Sequence, residues 1–141
     1  TEIIASNYVA NEKENLVVSF DQIKKNILSK SFNVIDARSL ERFEGKVSEP
    51  RKGLRSGHIQ NSFCLPFNQC INQKTGEFKN LEELRELFNQ NENIEKRLDQ
   101  VFTCGSGVTA AVLAYAYKMV NNDYIPKIYD GSWSEYGKYP A

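Results

Sequence analysis

The chain has 141 residues, 40% hydrophobic and 11% aromatic, which is enough for one globular domain with its own core and too apolar for a disordered segment. Eighteen basic residues balance eighteen acidic ones, so no net field draws the chain to nucleic acid or to an anionic membrane, and any anion must be held locally. Three cysteines form no C-x-x-C pair and a single histidine leaves zinc short of ligands, so neither a metal nor another cofactor is expected and the thiols read as reduced and intracellular.

The start, Thr1-Glu2-Ile3-Ile4, does not resemble a signal peptide, and no apolar run approaches the length that spans a bilayer. A single domain over 1–141 is expected, with 1–18 as a lead-in or interdomain segment. Ser19 then precedes Phe20, Ile23, Ile27 and Leu28 at helical spacing, and Gln22 is placed to close a capping box. Asn33-Val34-Ile35-Asp36 reads as a short strand and Ser39 to Phe43 as a helical turn. From Glu44 to Gln60 the chain carries Gly45, Pro50, Gly53 and Gly57 among basic residues, a wrapping loop expected to border the site. Asn61 to Pro66 reads as a strand, Gln73 to Gly76 as a turn, and Leu81, Leu84, Leu87 and Phe88 as the apolar face of a helix. Gln100 to Thr103 is a buried strand. The helix it feeds carries Val108, Ala111, Val112, Tyr115 and Met119 as an apolar stripe, with Tyr115 and Met119 expected in the core. Lys127-Ile128-Tyr129 is the last strand, turned by Asp130-Gly131 into a short segment with Trp133 and Tyr136. The alternation predicts an α/β fold, a mostly parallel sheet with helices on both faces, which binds ligands at the carboxyl ends of its strands.

One such end carries the sequence's strongest chemical signal. In Thr103-Cys104-Gly105-Ser106-Gly107-Val108-Thr109-Ala110 a buried strand ends in a cysteine, two glycines follow, and a helix begins at once. Glycines let consecutive amides turn inward, and the first helical turn adds unsatisfied N–H donors and the positive end of the dipole. A thiol in that setting is expected to ionise below the free value of about 8.5.

Three chemistries use loops of this kind. Gly105-x-Gly107-x-x-Ala110 fits a relaxed dinucleotide fingerprint, but it lies late in the chain, with no acidic residue where a ribose would need one. A cysteine phosphatase closes its loop with an arginine on the phosphoryl oxygens, and that position is Ala110. Sulfur transfer remains: a thiolate attacks an electrophilic sulfur, the amide ring holds the persulfide, and a second thiol removes it.

Cys104 to Ala110, CGSGVTA, resembles the active-site loop of the 3-mercaptopyruvate sulfurtransferases of the rhodanese superfamily. Asp36-Ala37-Arg38, Arg42-Phe43-x-Gly45, Glu49-Pro50-Arg51, Gly57-His58-Ile59 and Tyr129 to Tyr136 fall where the catalytic, C-terminal domain of that family has them. The resemblance implies a rhodanese-like fold and Cys104 as the sulfur-accepting nucleophile, with Ser106 as a proton relay. It implies Arg42 and Arg51 on the carboxylate and keto oxygen of the substrate, with Gly105, Gly107, Val108 and Thr109 lining the loop that holds it. It further implies a small-molecule sulfur donor, a thiol acceptor such as thioredoxin, a preceding rhodanese domain, and a cytoplasmic or mitochondrial location.

Thiosulfate-preferring relatives carry basic residues directly after the cysteine, where this chain has Gly105 and Ser106. Two more distant arginines suit a monoanionic keto acid, so 3-mercaptopyruvate is the expected donor. Thiosulfate transfer and a non-turnover persulfide carrier or redox-sensing module acting with a partner protein are the alternatives. His58 is expected to be structural. Asp36 is expected to tie down the catalytic loop, Trp133 and Tyr136 to be core or to wall the pocket, and Cys64 and Cys70 to be inert.

Overall fold

A computed structural model describes residues 7–11, 14–90 and 94–140, so part of the expected lead-in lies outside the described residues. Ser19 caps helix α1, Phe20–Ser29, through the expected capping box: its hydroxyl accepts from the Gln22 amide, and the Gln22 side chain accepts from the Ser19 amide. Asn80 and Glu83 repeat the device at helix α3, Leu81–Asn89. Between these helices lie strand β1, Phe32–Asp36, the single-turn helix α2, Leu40–Phe43, and strand β2, Phe63–Cys64. Strand β3, Asp99–Thr103, helix α4, Val108–Val120, strand β4, Lys127–Ile128, and helix α5, Ser132–Tyr136, complete the order.

Among the described residues the four strands form one parallel sheet in the order β2-β1-β3-β4. The long central pairing runs from Phe32 opposite Asp99 to Asp36 opposite Thr103. β2 is shorter than Asn61 to Pro66 because this edge strand pairs only Phe63 and Cys64 with Ile35 and Asp36.

Alternation along the two central strands sorts the core onto two faces. Ile35 and Phe102 pack with Leu84 and Leu87 of α3 and with Ala110, Leu113, Ala114 and Ala116 of α4. Val34 and Val101 pack on the other face with Ile23 of α1 and with Trp133 of α5. Helices therefore cover both faces, as expected of a parallel sheet.

The apolar stripe expected on α4 has the wrong phase. Ala110, Leu113, Ala114 and Ala116 face the sheet, whereas Val108 and Tyr115 are 73% and 59% exposed; Met119 does pack against the core. Small side chains let the helix axis approach the sheet closely, which leaves the bulky residues outside.

The chain leaves β1 toward β2 on one side and returns to place β3 on the other. Strand order thus reverses at the carboxyl ends of β1 and β3, where open α/β sheets form a binding crevice. Ala37 and Arg38 follow β1 there, and Cys104 follows β3. Among the described residues no helix is long and apolar enough to cross a membrane.

Candidate active site

The loop after β3 turns through Gly107, whose φ of 85° places it in the left-handed region where a side chain is strained. A Cβ there would also stand 2.4 Å from the Asp130 Oδ1. This turn folds the start of α4 back over Cys104. The Ser106 amide donates to Sγ at 3.4 Å. Burial pushes the Cys104 thiol up, but the Thr109 hydroxyl and the amides of Ser106, Ala110 and Thr109 hydrogen-bond the sulfur and outweigh it, so the thiol titrates below its ordinary value.

The other two cysteines show what the loop contributes. Burial raises Cys70 to about 11, and burial followed by the nearby Asp36 carboxylate raises Cys64 to about 12. Cys64 lines a cleft of about 740 Å³ beside Leu65, Phe88 and Tyr117 that does not include Cys104. That cleft thus holds a protonated thiol, and the ionisable one sits in the amide ring.

Both arginines singled out from the sequence converge on the residue after the cysteine. Arg51 Nη1 donates to the Gly105 carbonyl at 3.4 Å. A Cβ on Gly105 would stand 3.0 Å from Arg42 Nη2 and 3.8 Å from Arg51 Nη1, so glycine leaves room for two guanidinium groups. Arg51 is exposed and the Arg42 side chain is 25% exposed. Arg42 is fixed side-on by Glu49, with Nη2 to Oε2 at 2.6 Å and Nε to Oε1 at 3.2 Å.

Ser132 plays the anchoring part expected of Asp36. Its hydroxyl accepts from the Cys104 amide and the Thr103 hydroxyl, each at 3.2 Å, and donates to the Tyr129 carbonyl at 2.8 Å. It holds φ at 51° and is fully buried, so a strained backbone is fixed by three hydrogen bonds. Trp133 and Ser134 then donate their amides to the carbonyls of Cys104 and Gly105, both at 2.9 Å.

Asp36 instead accepts from the Arg38 amide, Nε and Nη2, and Arg38 Nη1 reaches Glu49 at 2.8 Å. The nearest partner of a carboxylate on this strand end is a guanidinium on its own loop, which satisfies it before it can reach the cysteine loop. Arg38, Glu49 and Ser132 were not assigned roles from the sequence. Their places in the sequence gave no separate signal, since Arg38 and Glu49 meet across the wrapping loop and Ser132 meets Cys104 from a distant segment.

His58 donates from Nδ1 to the Phe43 carbonyl at 2.9 Å and stacks on the Phe43 ring, a structural position. Trp133 is core rather than pocket wall: it is buried, with the Arg38 and Arg55 guanidinium groups 4.5 and 4.6 Å from its ring centre. The Ser106 hydroxyl makes no hydrogen bond among the described residues, and the side chain of Val108 points to solvent.

Residues 19–139 match the model of the rhodanese-like domain. The chain is 42% identical over 126 residues to thiosulfate/3-mercaptopyruvate sulfurtransferase 1, mitochondrial, of Arabidopsis thaliana, covering 89% of this chain and 32% of that one. It is 39% identical over 120 residues to the human 3-mercaptopyruvate sulfurtransferase, covering 85% of this chain and 39% of that one. Among solved structures, the sulfur transferase subunit of yeast mitochondrial complex I superposes with a TM-score of 0.81 at 30% identity, covering all of this chain and 50% of the other. SseA from Escherichia coli superposes with a TM-score of 0.74 at 30% identity, covering 96% and 48%. The chain thus spans between a third and a half of the length of these relatives, and with a parallel sheet, a cysteine loop at its switch point and a family match over nearly its whole length, it belongs to the rhodanese-like domain family.

Proposed function

We propose that this domain transfers sulfur from 3-mercaptopyruvate to a thiol acceptor through a persulfide on Cys104. The observation that carries the reading is a thiol that accepts from the Ser106 amide at 3.4 Å and is drawn toward its anion by the turn into α4, beside a glycine on which two guanidinium groups converge. The Cys104 thiolate attacks the donor sulfur. The carbon–sulfur bond breaks, and its electron pair leaves as the enolate of pyruvate, which the keto group makes tolerable. The proton on the donor sulfur ends on the carbon, giving pyruvate and a Cys104 persulfide anion, with charge conserved. An acceptor thiolate then attacks the outer sulfur and releases the Cys104 thiolate.

In this reading Arg42 and Arg51 grip the carboxylate and keto oxygen, a task for planar, permanently charged forks. The amides of the turn from Gly105 through Gly107 and Val108 to Thr109 cup the persulfide anion. The free Ser106 hydroxyl relays the proton. The acceptor is a small thiol or a thioredoxin-like protein, and the compartment is cytoplasmic or mitochondrial, where thiols stay reduced. The relatives' greater length and the exposed Val108–Tyr115 side of α4, which begins at the loop, support a preceding rhodanese domain that covers this side.

The test is release of pyruvate and sulfide from 3-mercaptopyruvate with a thiol acceptor, run beside thiosulfate with cyanide and beside Cys104→Ser. Mercaptopyruvate turnover that disappears in Cys104→Ser is the expected result. Turnover of thiosulfate alone would transfer the reading to the alternative donor. No turnover of either, with Cys104 still rapidly alkylated, would favour a persulfide carrier that serves a partner.

A further inference from the structure

Arg42 does not face the cysteine loop as a free cation. Glu49, whose side chain is 1% exposed, takes its Nε and Nη2 edge. A guanidinium has five N–H donors, so this side-on grip leaves both hydrogens of Nη1 and one of Nη2 for another ligand. The same carboxylate accepts from Nη1 of Arg38, which is wholly buried and paired on its other edge with Asp36. Two guanidinium groups and two buried carboxylates therefore cancel. Among the described residues Arg51 is the one remaining cation that reaches Gly105, and the Asp130 carboxylate lies against Gly107 on the opposite flank. Lys46, on the same wrapping loop, is paired with Glu44.

We propose that Glu49 sets the charge preference of the site: by seating Arg42 and neutralising it, Glu49 leaves Arg51 as the single uncompensated guanidinium on the donor side of the thiolate, with Asp130 on the opposite flank, which favours a monoanionic sulfur donor over a dianionic one. The assignment rests on the sulfurtransferase reading and deepens it. Buried charges in a partly closed site act through a low effective dielectric, so a single unit changes the relative binding of mono- and dianions far more than it would in water. Glu49 is a positioning residue in this scheme. It acts on the donor through Arg42 and through the field, without touching the donor itself.

The experiment uses Glu49→Gln, which keeps size and hydrogen-bonding atoms and removes the charge. The readouts are the ratio of kcat/KM for thiosulfate to that for 3-mercaptopyruvate, and the ratio of Cys104 alkylation rates by iodoacetate, an anion, and iodoacetamide, which is neutral. Both ratios are expected to rise, each on the order of tenfold. Glu49→Asp, which retains the charge with a shorter reach, is expected to keep both ratios within about twofold of wild type even where absolute rates fall. Arg42→Gln removes a positive charge from a partly exposed side chain and is expected to lower the ratio of iodoacetate to iodoacetamide alkylation, which involves no grip on mercaptopyruvate, so the charge balance remains testable if Glu49→Gln does not fold. Unchanged ratios in folded Glu49→Gln, or an unchanged alkylation ratio in Arg42→Gln, would overturn the assignment and leave Glu49 a structural residue. A wild-type domain that turns over neither donor would defeat the sulfurtransferase reading, while the alkylation ratios would still decide the role of Glu49.

Discussion

Thr109 does at the residue scale what no main-chain donor alone can do. Burial works against the Cys104 thiolate, and among the groups that offset burial the Thr109 hydroxyl stands first, ahead of the three amides. It sits in the first turn of α4, where its own amide also reaches the sulfur, so one residue supplies two donors. Thr109→Val removes the hydroxyl while keeping the branched shape and the helix. Neutral-pH alkylation of Cys104 by iodoacetamide is expected to slow by roughly fivefold or more, because a hydrogen bond to a charged group contributes more than one between neutral groups. The pH at which that rate reaches half its plateau should move upward, and the plateau itself should change little. An unchanged pH profile would mean that the amides alone hold the thiolate. The cysteine loop was legible because Cys104, Gly105 and Gly107 carry their meaning locally: a glycine is needed where φ is positive and where Asp130 leaves no space for a Cβ. Ser132 was not legible, because its role depends on a φ of 51° and on Cys104 lying beside it, and neither is written in its neighbours.

Elements with one possible phase could be read, and those with several could not. α1 and α3 each carry a capping box, so their starts follow from pattern, but their buried sides follow only in part: Ile23, Leu84 and Leu87 are buried, whereas Leu28 and Leu81, expected on the apolar faces, are 89% and 43% exposed, and Asn26 is buried in their place on α1. β1 and β3 were found as short apolar runs, and their registry with each other follows from lying side by side in the parallel sheet. α4 is apolar on nearly every side, VTAAVLAYAYKMV, so a stripe through Val108 and Tyr115 fits as well as the true one through Ala110, Leu113 and Ala114. Packing decides between them: alanines allow close approach to the sheet, and Tyr115 instead leans on Phe78 with ring centres 5.4 Å apart. Adding bulk to the buried side should therefore be costly. Ala114→Leu is expected to destabilise the domain by about 1–3 kcal/mol through overpacking, and Tyr115→Ser by less than about 1 kcal/mol. Urea midpoints of the two variants measure the difference. A larger loss in Tyr115→Ser would put the buried stripe back where the sequence pattern first placed it.

Across the whole molecule, balanced charge hands the pH dependence of stability to a few buried groups. With eighteen basic and eighteen acidic residues, there is no large net self-repulsion near neutral pH to mask them. Cys104 has a folded value below its ordinary 9.0, so its contribution is complete above that value and is lost as pH falls through the lowered one. Cys64 and Cys70, raised to about 12 and about 11 chiefly by burial, act in the opposite direction. They remain protonated in the folded state while the unfolded chain ionises near 9.0, so their contribution is complete below 9.0 and is lost as pH rises toward 11 and 12. Tyr124 and Tyr129 add to that alkaline loss, since burial, joined at Tyr129 by the hydrogen-bonded Glu135, holds both phenols above the ordinary 10.0. Stability is therefore expected to climb as pH rises toward 9 and to fall beyond it. Urea midpoints at a series of pH values would trace both limbs. Cys104→Ser should flatten the climb, and the double replacement Cys64→Ala with Cys70→Ala should make the alkaline fall shallower and shift it to higher pH. An alkaline limb unaltered in that double variant would assign the loss to the two tyrosines, and a climb that survives Cys104→Ser would show that the thiolate contributes nothing to holding the active-site loop in place.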